Sequence, residues 1–174
     1  MRSSTTRRKI EDFMDGLGRA AKGPGSVFLT GGATAVLFGW RESTLDVDFK
    51  FDPEPPGIFE SIPRLKNELD INMELVAPSD FVPALPGWRE RCRFIAKRGS
   101  VDFYHFDFYT QALSKIERSH TRDLGDVRLM VEEGLVEPAR LRELFLEAQP
   151  ALARYPAIDP EGLRKRVDEW AREG

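Results

Sequence analysis

Asp46 and Asp48 are the residues of this chain best placed to do chemistry, alternating with Val47 and Phe49 in the run Asp-Val-Asp-Phe-Lys-Phe. In an extended strand successive side chains take opposite faces, so both carboxylates project one way and both apolar neighbours the other. Two adjacent carboxylates repel each other unless a cation or a proton lies between them, and a divalent metal is the usual remedy. Upstream, the apolar run Val27-Phe28-Leu29 leads through Thr30 to Gly31-Gly32 and then into an Ala/Val/Leu segment of helical character. A glycine pair opening a helix lets the backbone approach a ligand and leaves the first N–H groups pointing outward, which suits a phosphate. Arg41, Ser43 and Thr44 stand just ahead of the acids. A Gly-rich turn with acids on a solvated face is the plain alternative. The conjunction of the two motifs favours a nucleotide site.

From Gly31 to Asp48 the chain resembles the signature of the DNA polymerase beta-like nucleotidyltransferase superfamily: a glycine pair, a short helix, Arg-x-Ser-Thr, then Asp-x-Asp. The likeness runs from Val27 to Glu133 and is greatest to the small bacterial AbiEii-like branch, several members of which are toxins of toxin–antitoxin pairs. It implies an α+β nucleotidyltransferase fold, a mixed β-sheet flanked by helices. It also implies an enzyme that uses Mg²⁺ or Mn²⁺ to transfer a nucleoside monophosphate from a nucleoside triphosphate, ATP among them, to a hydroxyl. RNA or tRNA is the implied acceptor, and a cognate antitoxin or other protein the implied partner. Asp46 and Asp48, joined by Glu74 as third carboxylate, would hold the metal, with Asp102 and Asp107 as alternatives to Glu74. Gly31, Gly32, Arg41, Ser43 and Thr44 would contact the nucleotide. Lys115 and Asp123 would support catalysis from a distal motif in which Arg118 and Asp126 also match, across a shorter gap than in the toxins. Two other readings keep the fold: an inactive nucleotide- or partner-binding protein, and a transferase acting on a small molecule.

The whole chain sets bounds on these readings. At 174 residues, 41% hydrophobic and 32% charged, it suits one core with a small appendage. A formal net charge of -3 excludes a bulk nucleic-acid binder, so any such contact is a local patch. The single cysteine, Cys92, rules out an internal disulfide. The opening residues are polar and basic, and nowhere are there the ~18 consecutive apolar residues of a membrane span. These features predict a cytoplasmic protein.

The elements that must position the acids follow from periodicity. Ile10, Phe13, Met14 and Leu17 predict an amphipathic helix of about ten residues, with Arg7, Arg8 and Lys9 as a basic end that could touch a nucleic-acid backbone. Gly23-Pro24-Gly25 delivers the chain into the first strand, and Asp52-Pro53-Glu54-Pro55-Pro56-Gly57 ends the strand of the acids. A helix through Ile62 and Leu65 and a strand at 71–76 containing Glu74 come next. Arg91 to Lys97 is expected to form a strand, and Arg89, Arg91, Arg93, Lys97 and Arg98 make it the best candidate for a phosphate or RNA contact. Arg98-Gly99-Ser100 turns into an aromatic strand, Val101 to Phe108, followed by helices through Ile116, through Val127 and, after Gly134, through Leu144 and Leu163. Residues 1–134 are therefore expected to form the α/β domain and 135–174 a helical appendage packed on it.

Overall fold

A computed structural model describes residues 2–174. The fold is α+β, and the chain divides into two compact units. One holds the residues up to Ala77 together with Cys92–His105; the other holds Pro78–Arg91 and Phe106–Gly174. The first helices after the aromatic strand group with the C-terminal helices in the second unit.

The first unit runs in the order β1 (Thr5–Thr6), α1 (Arg7–Ala20), β2 (Gly25–Thr30), α2 (Gly31–Leu37), β3 (Ser43–Thr44) and β4 (Asp46–Phe51). It continues with α3 (Ile62–Glu68), β5 (Asn72–Leu75), β6 (Arg93–Arg98) and β7 (Val101–His105). Five strands form a mixed sheet in the order β5-β4-β2-β7-β6. Strand β4 is antiparallel to β2 and parallel to β5, while β2 is parallel to β7. Strands β1 and β3 make a separate two-stranded ribbon.

Alternation decides which sheet face is core. Val27, Leu29, Val47, Phe49, Met73 and Phe103 are buried on one face, together with Ile10, Phe13, Met14 and Leu17 of α1 and Ile62 and Leu65 of α3. Each large side chain so removed from water contributes about 1.5–3 kcal/mol. The α1 stripe is the predicted one, carried on a longer helix of 14 residues. Asp46, Asp48, Asn72 and Glu74 consequently fall on the other face. None of the four is fully buried.

The second unit is helical: α4 (Trp88–Arg91), α5 (Phe108–Arg118), α6 (Thr121–Glu132), α7 (Pro138–Ala148) and α8 (Pro160–Glu173). Leu113 and Ile116 of α5, Val127 and Met130 of α6, Leu144 and Phe145 of α7, and Leu163 and Val167 of α8 are all buried. Asp107, 0% exposed, caps α5: its carboxylate accepts from the backbone N–H groups of Tyr109 and Thr110 and from the Thr110 hydroxyl.

Candidate active site

Strand register builds the acidic face. Asp46 pairs with Asn72 and Asp48 with Glu74 across the parallel β4–β5 ladder, while Thr30, the last residue of β2, pairs with Asp48 on the other side. The Asn72 side-chain amide donates a short hydrogen bond to Asp46 Oδ1, which fixes that carboxylate from the strand. Sequence reading missed Asn72, because an amide two residues before a glutamate carries no motif. Glu74 is exposed beside Asp48. Among the described residues no group of three or more His, Cys, Asp or Glu side chains is arranged to hold a metal ion. The expected three-acid set is therefore present in register but not gathered around one point.

The two alternatives for the third carboxylate are otherwise engaged. Asp102 takes an ion pair from Lys97 at 3.3 Å on the β6–β7 hairpin. Asp107 belongs to the helical unit, where besides capping α5 it receives two bonds from the Arg91 guanidinium, at 2.9 and 2.7 Å.

The glycine pair divides its work. Gly31 has φ +59, a left-handed backbone that favours glycine, and a Cβ built there would stand 3.1 Å from Asp48 Oδ2. Any side chain at 31 would crowd the acid, so the strand-to-helix turn and the carboxylate lie directly against each other. At Gly32 the added Cβ would collide with Thr44, whose hydroxyl donates to the Asp46 carbonyl at 3.2 Å. The missing side chain at 32 thus makes room for Thr44, and Thr44 is occupied in holding the turn that leads into β4. Ser43 sits next to it, paired with Thr6 in the β1–β3 ribbon. Arg41 is placed at a cavity with Arg7, Arg8 and Trp40 that none of Gly31, Asp46 or Asp48 lines.

Beside this turn, the imidazole Nδ1 of His105 lies 3.0 Å from the Thr34 hydroxyl, which itself donates to the Leu29 carbonyl at 3.3 Å. Burial, with the Arg93 charge adding to it, pushes His105 down from 6.5 to about 4. Between those values the unfolded chain takes up a proton that the native site refuses, so stability falls as pH drops from about 6.5 toward 4. The loss attributable to this one group is about 3 kcal/mol. In a proton-NMR titration one of the two histidines is expected to titrate near pH 4. Ordinary titration of both near 6.5 would contradict this burial.

Lys115, Asp123 and Asp126 come together inside the helical unit. The Lys115 ammonium lies 3.2 Å from Asp123 and 2.9 Å from Asp126, and Arg118 adds a bond to Asp123 at 3.0 Å. The lysine side chain is 6% exposed. The Asp123 carboxylate thus bridges Lys115 and Arg118.

The expected basic run is not one strand. Arg89 and Arg91 lie on α4 and only Arg93, Lys97 and Arg98 on β6. A bulge between Phe94 and Ala96 then shifts the alternation, leaving Phe94 59% exposed. Arg91 is taken by Asp107, Lys97 by Asp102, and Arg98 by Asp15 at 2.6 Å. Arg89 lies over the Trp88 ring, 5.0 Å from its centre. Three of the five cations are thus already matched by carboxylates.

A mixed sheet carrying a glycine turn at the end of one strand and an Asp-x-Asp pair on its antiparallel neighbour defines a domain of nucleotidyltransferase type. The chain belongs to the family described as "Nucleotidyltransferase of unknown function (DUF6036)", which it matches over residues 8–159. Comparison with curated proteins and with solved structures gave no match. Among the described residues no helix is long and apolar enough to cross a membrane.

Proposed function

We propose that this chain is a metal-dependent nucleotidyltransferase of the DNA polymerase beta-like kind, moving a nucleoside monophosphate from a triphosphate donor to a hydroxyl acceptor, with pyrophosphate as the leaving group. One observation carries the reading: Asp46 and Asp48 share a partly exposed sheet face directly against the Gly31 turn. Hard oxygen donors from one or two carboxylates, completed by substrate phosphates and water, are how Mg²⁺ is ordinarily held. The pair fits that ion without needing a third protein ligand. When bound, Mg²⁺ or Mn²⁺ would supply Lewis-acid stabilisation of the phosphoryl oxygens and make the acceptor hydroxyl more acidic.

The chain's own residues divide the remaining work. Asp46 is oriented by Asn72, leaving its second oxygen for the ion. Asp48, set against Gly31, brings the other carboxylate to the same surface. Glu74, exposed next to Asp48, accepts the proton released by the acceptor hydroxyl. The Gly31 backbone and the Ser43 hydroxyl offer donors to the donor phosphates. RNA or tRNA, in an AbiEii-like toxin–antitoxin setting, is the acceptor we favour on the sequence resemblance.

The test is transfer from each α-labelled nucleoside triphosphate to total cellular RNA and to the protein itself, with Mg²⁺ or Mn²⁺. Label in one product with wild type, absent with Asp46→Asn, establishes enzyme and acceptor class together. A second reading, a nucleotide-binding protein without turnover, rests on the ungathered third acid. Thermal stabilisation by triphosphate and Mg²⁺ with no labelled product would favour it. Asn72→Ala is expected to lower Mn²⁺ affinity and turnover by 10–100-fold, the usual cost of losing a group that orients a ligand. Unchanged Mn²⁺ affinity in a titration would remove Asn72 from that role.

A further inference from the structure

The basic end of α1 and the arginine before the acids meet at a place the transfer site does not use. A cavity of about 540 Å³ is lined by Arg7 and Arg8 from the first turn of α1, by Trp40 and Arg41 from the loop after α2, and by Thr6 and Glu42. Its lining includes three arginines and one glutamate, in a chain whose formal net charge is -3.

The amino end of a helix already carries partial positive charge, where acids are favoured and cations disfavoured. Here the first turn has no acid, and Thr6 makes no side-chain cap. Arg7 is tied down, donating to the Leu37 carbonyl at 3.0 Å and pairing with Glu11 at 3.3 Å. Arg8 is exposed and makes no hydrogen bond or ion pair with any described residue. An anion at the cavity would give Arg8 a partner. Trp40, whose ring packs 5.1 Å from that of Phe38, adds an aromatic wall suited to a planar ring rather than to a bare ion.

We propose that this cavity binds a nucleotide unit of the acceptor side, with Arg8 and Arg41 on its phosphate and Trp40 against its base. The ligand's class rests on the transferase reading; the location rests on the cavity alone. A phosphate with an attached base comes either from a strand of RNA or from a free mononucleotide, and the two are separable.

The experiment is fluorescence anisotropy of the full chain with a short fluorescein-labelled single-stranded RNA, over a range of salt, with AMP as competitor. Arg8→Glu and Trp40→Ala are each expected to weaken RNA binding about tenfold, the scale of one lost stacking or phosphate contact. Arg8→Glu should also flatten the salt dependence by close to one phosphate's share. Asp46→Asn should bind RNA as wild type does, so that failure of transfer and failure of this site are told apart. Displacement of the RNA by AMP assigns the cavity to a mononucleotide, and resistance to AMP assigns it to a strand. Equal affinities in wild type, Arg8→Glu and Trp40→Ala would overturn the proposal, as would absence of binding by both RNA and AMP. An equal loss in Arg154→Glu, an exposed site elsewhere, would reduce the effect to bulk charge and overturn it too.

Discussion

Asp46→Asn and Asp48→Asn are each expected to reduce nucleotidyl transfer by about a thousandfold or more while leaving the melting temperature unchanged or slightly raised. The size follows from what a carboxylate in this position contributes. Ion-assisted charge stabilisation is worth several kcal/mol in the transition state, and each 1.36 kcal/mol is tenfold in rate. An amide is nearly the same shape but carries no charge to hold the ion. The stability half of the expectation comes from the face itself. Asp46, Asp48 and Glu74 place three acids on adjacent positions of two strands, and neutralising one relieves repulsion. Asn at 46 still offers an oxygen to the Asn72 amide. Single-turnover transfer and a thermal melt on the same samples read both halves. Wild-type turnover in either variant would sink the assignment, whereas lost turnover with a large drop in melting temperature would show only a damaged fold.

Lys115→Ala should destabilise the protein by about 3 kcal/mol, because it takes a cation from buried Asp126 and one of two cations from Asp123. For a chain of this size that lowers the melting temperature by roughly 10 °C. Asp123 keeps Arg118. A paired replacement makes the expectation sharper: Lys115→Met combined with Asp126→Leu removes both charges and refills the space, and should recover much of the loss. Denaturant melts of the single and double variants measure this. A single variant as stable as wild type would show that the cluster is not holding the helical unit together. Transfer measured on the stable double variant then reports whether Lys115 also serves catalysis.

Local signals carried most of the fold. The i, i+3, i+4, i+7 stripe of α1, the alternation of β4 and the stop at Gly134 depend only on near neighbours in sequence. The same holds for Asp46 and Asp48, whose shared face is a property of one strand. What stayed hidden depends on partners far along the chain. Arg91 read as a strand residue because its true partner, Asp107, is distant in sequence and terminates the chain's turn into α5 rather than joining the sheet. The bulge at Ile95 cannot be seen from composition, since it is a mismatch between two strands and not a feature of either. Asn72 and the use of Gly32 by Thr44 are likewise fixed by register and by packing. Arg41, grouped with the acids by its spacing, is carried to another cavity by the loop that follows α2.

Strand order also bears on how the polypeptide assembles while it is being made. The strand that ends in the glycine turn, β2, takes β4 on one side early but receives β7 on the other only after the chain has left for α4 and come back. Until then a flat, apolar edge bearing Val27 and Leu29 is open on the nascent chain, the kind of edge that pairs with the wrong partner. Long-range parallel closure is slow, so that side of β2 stays unpaired through the interval between synthesis of Thr30 and of His105.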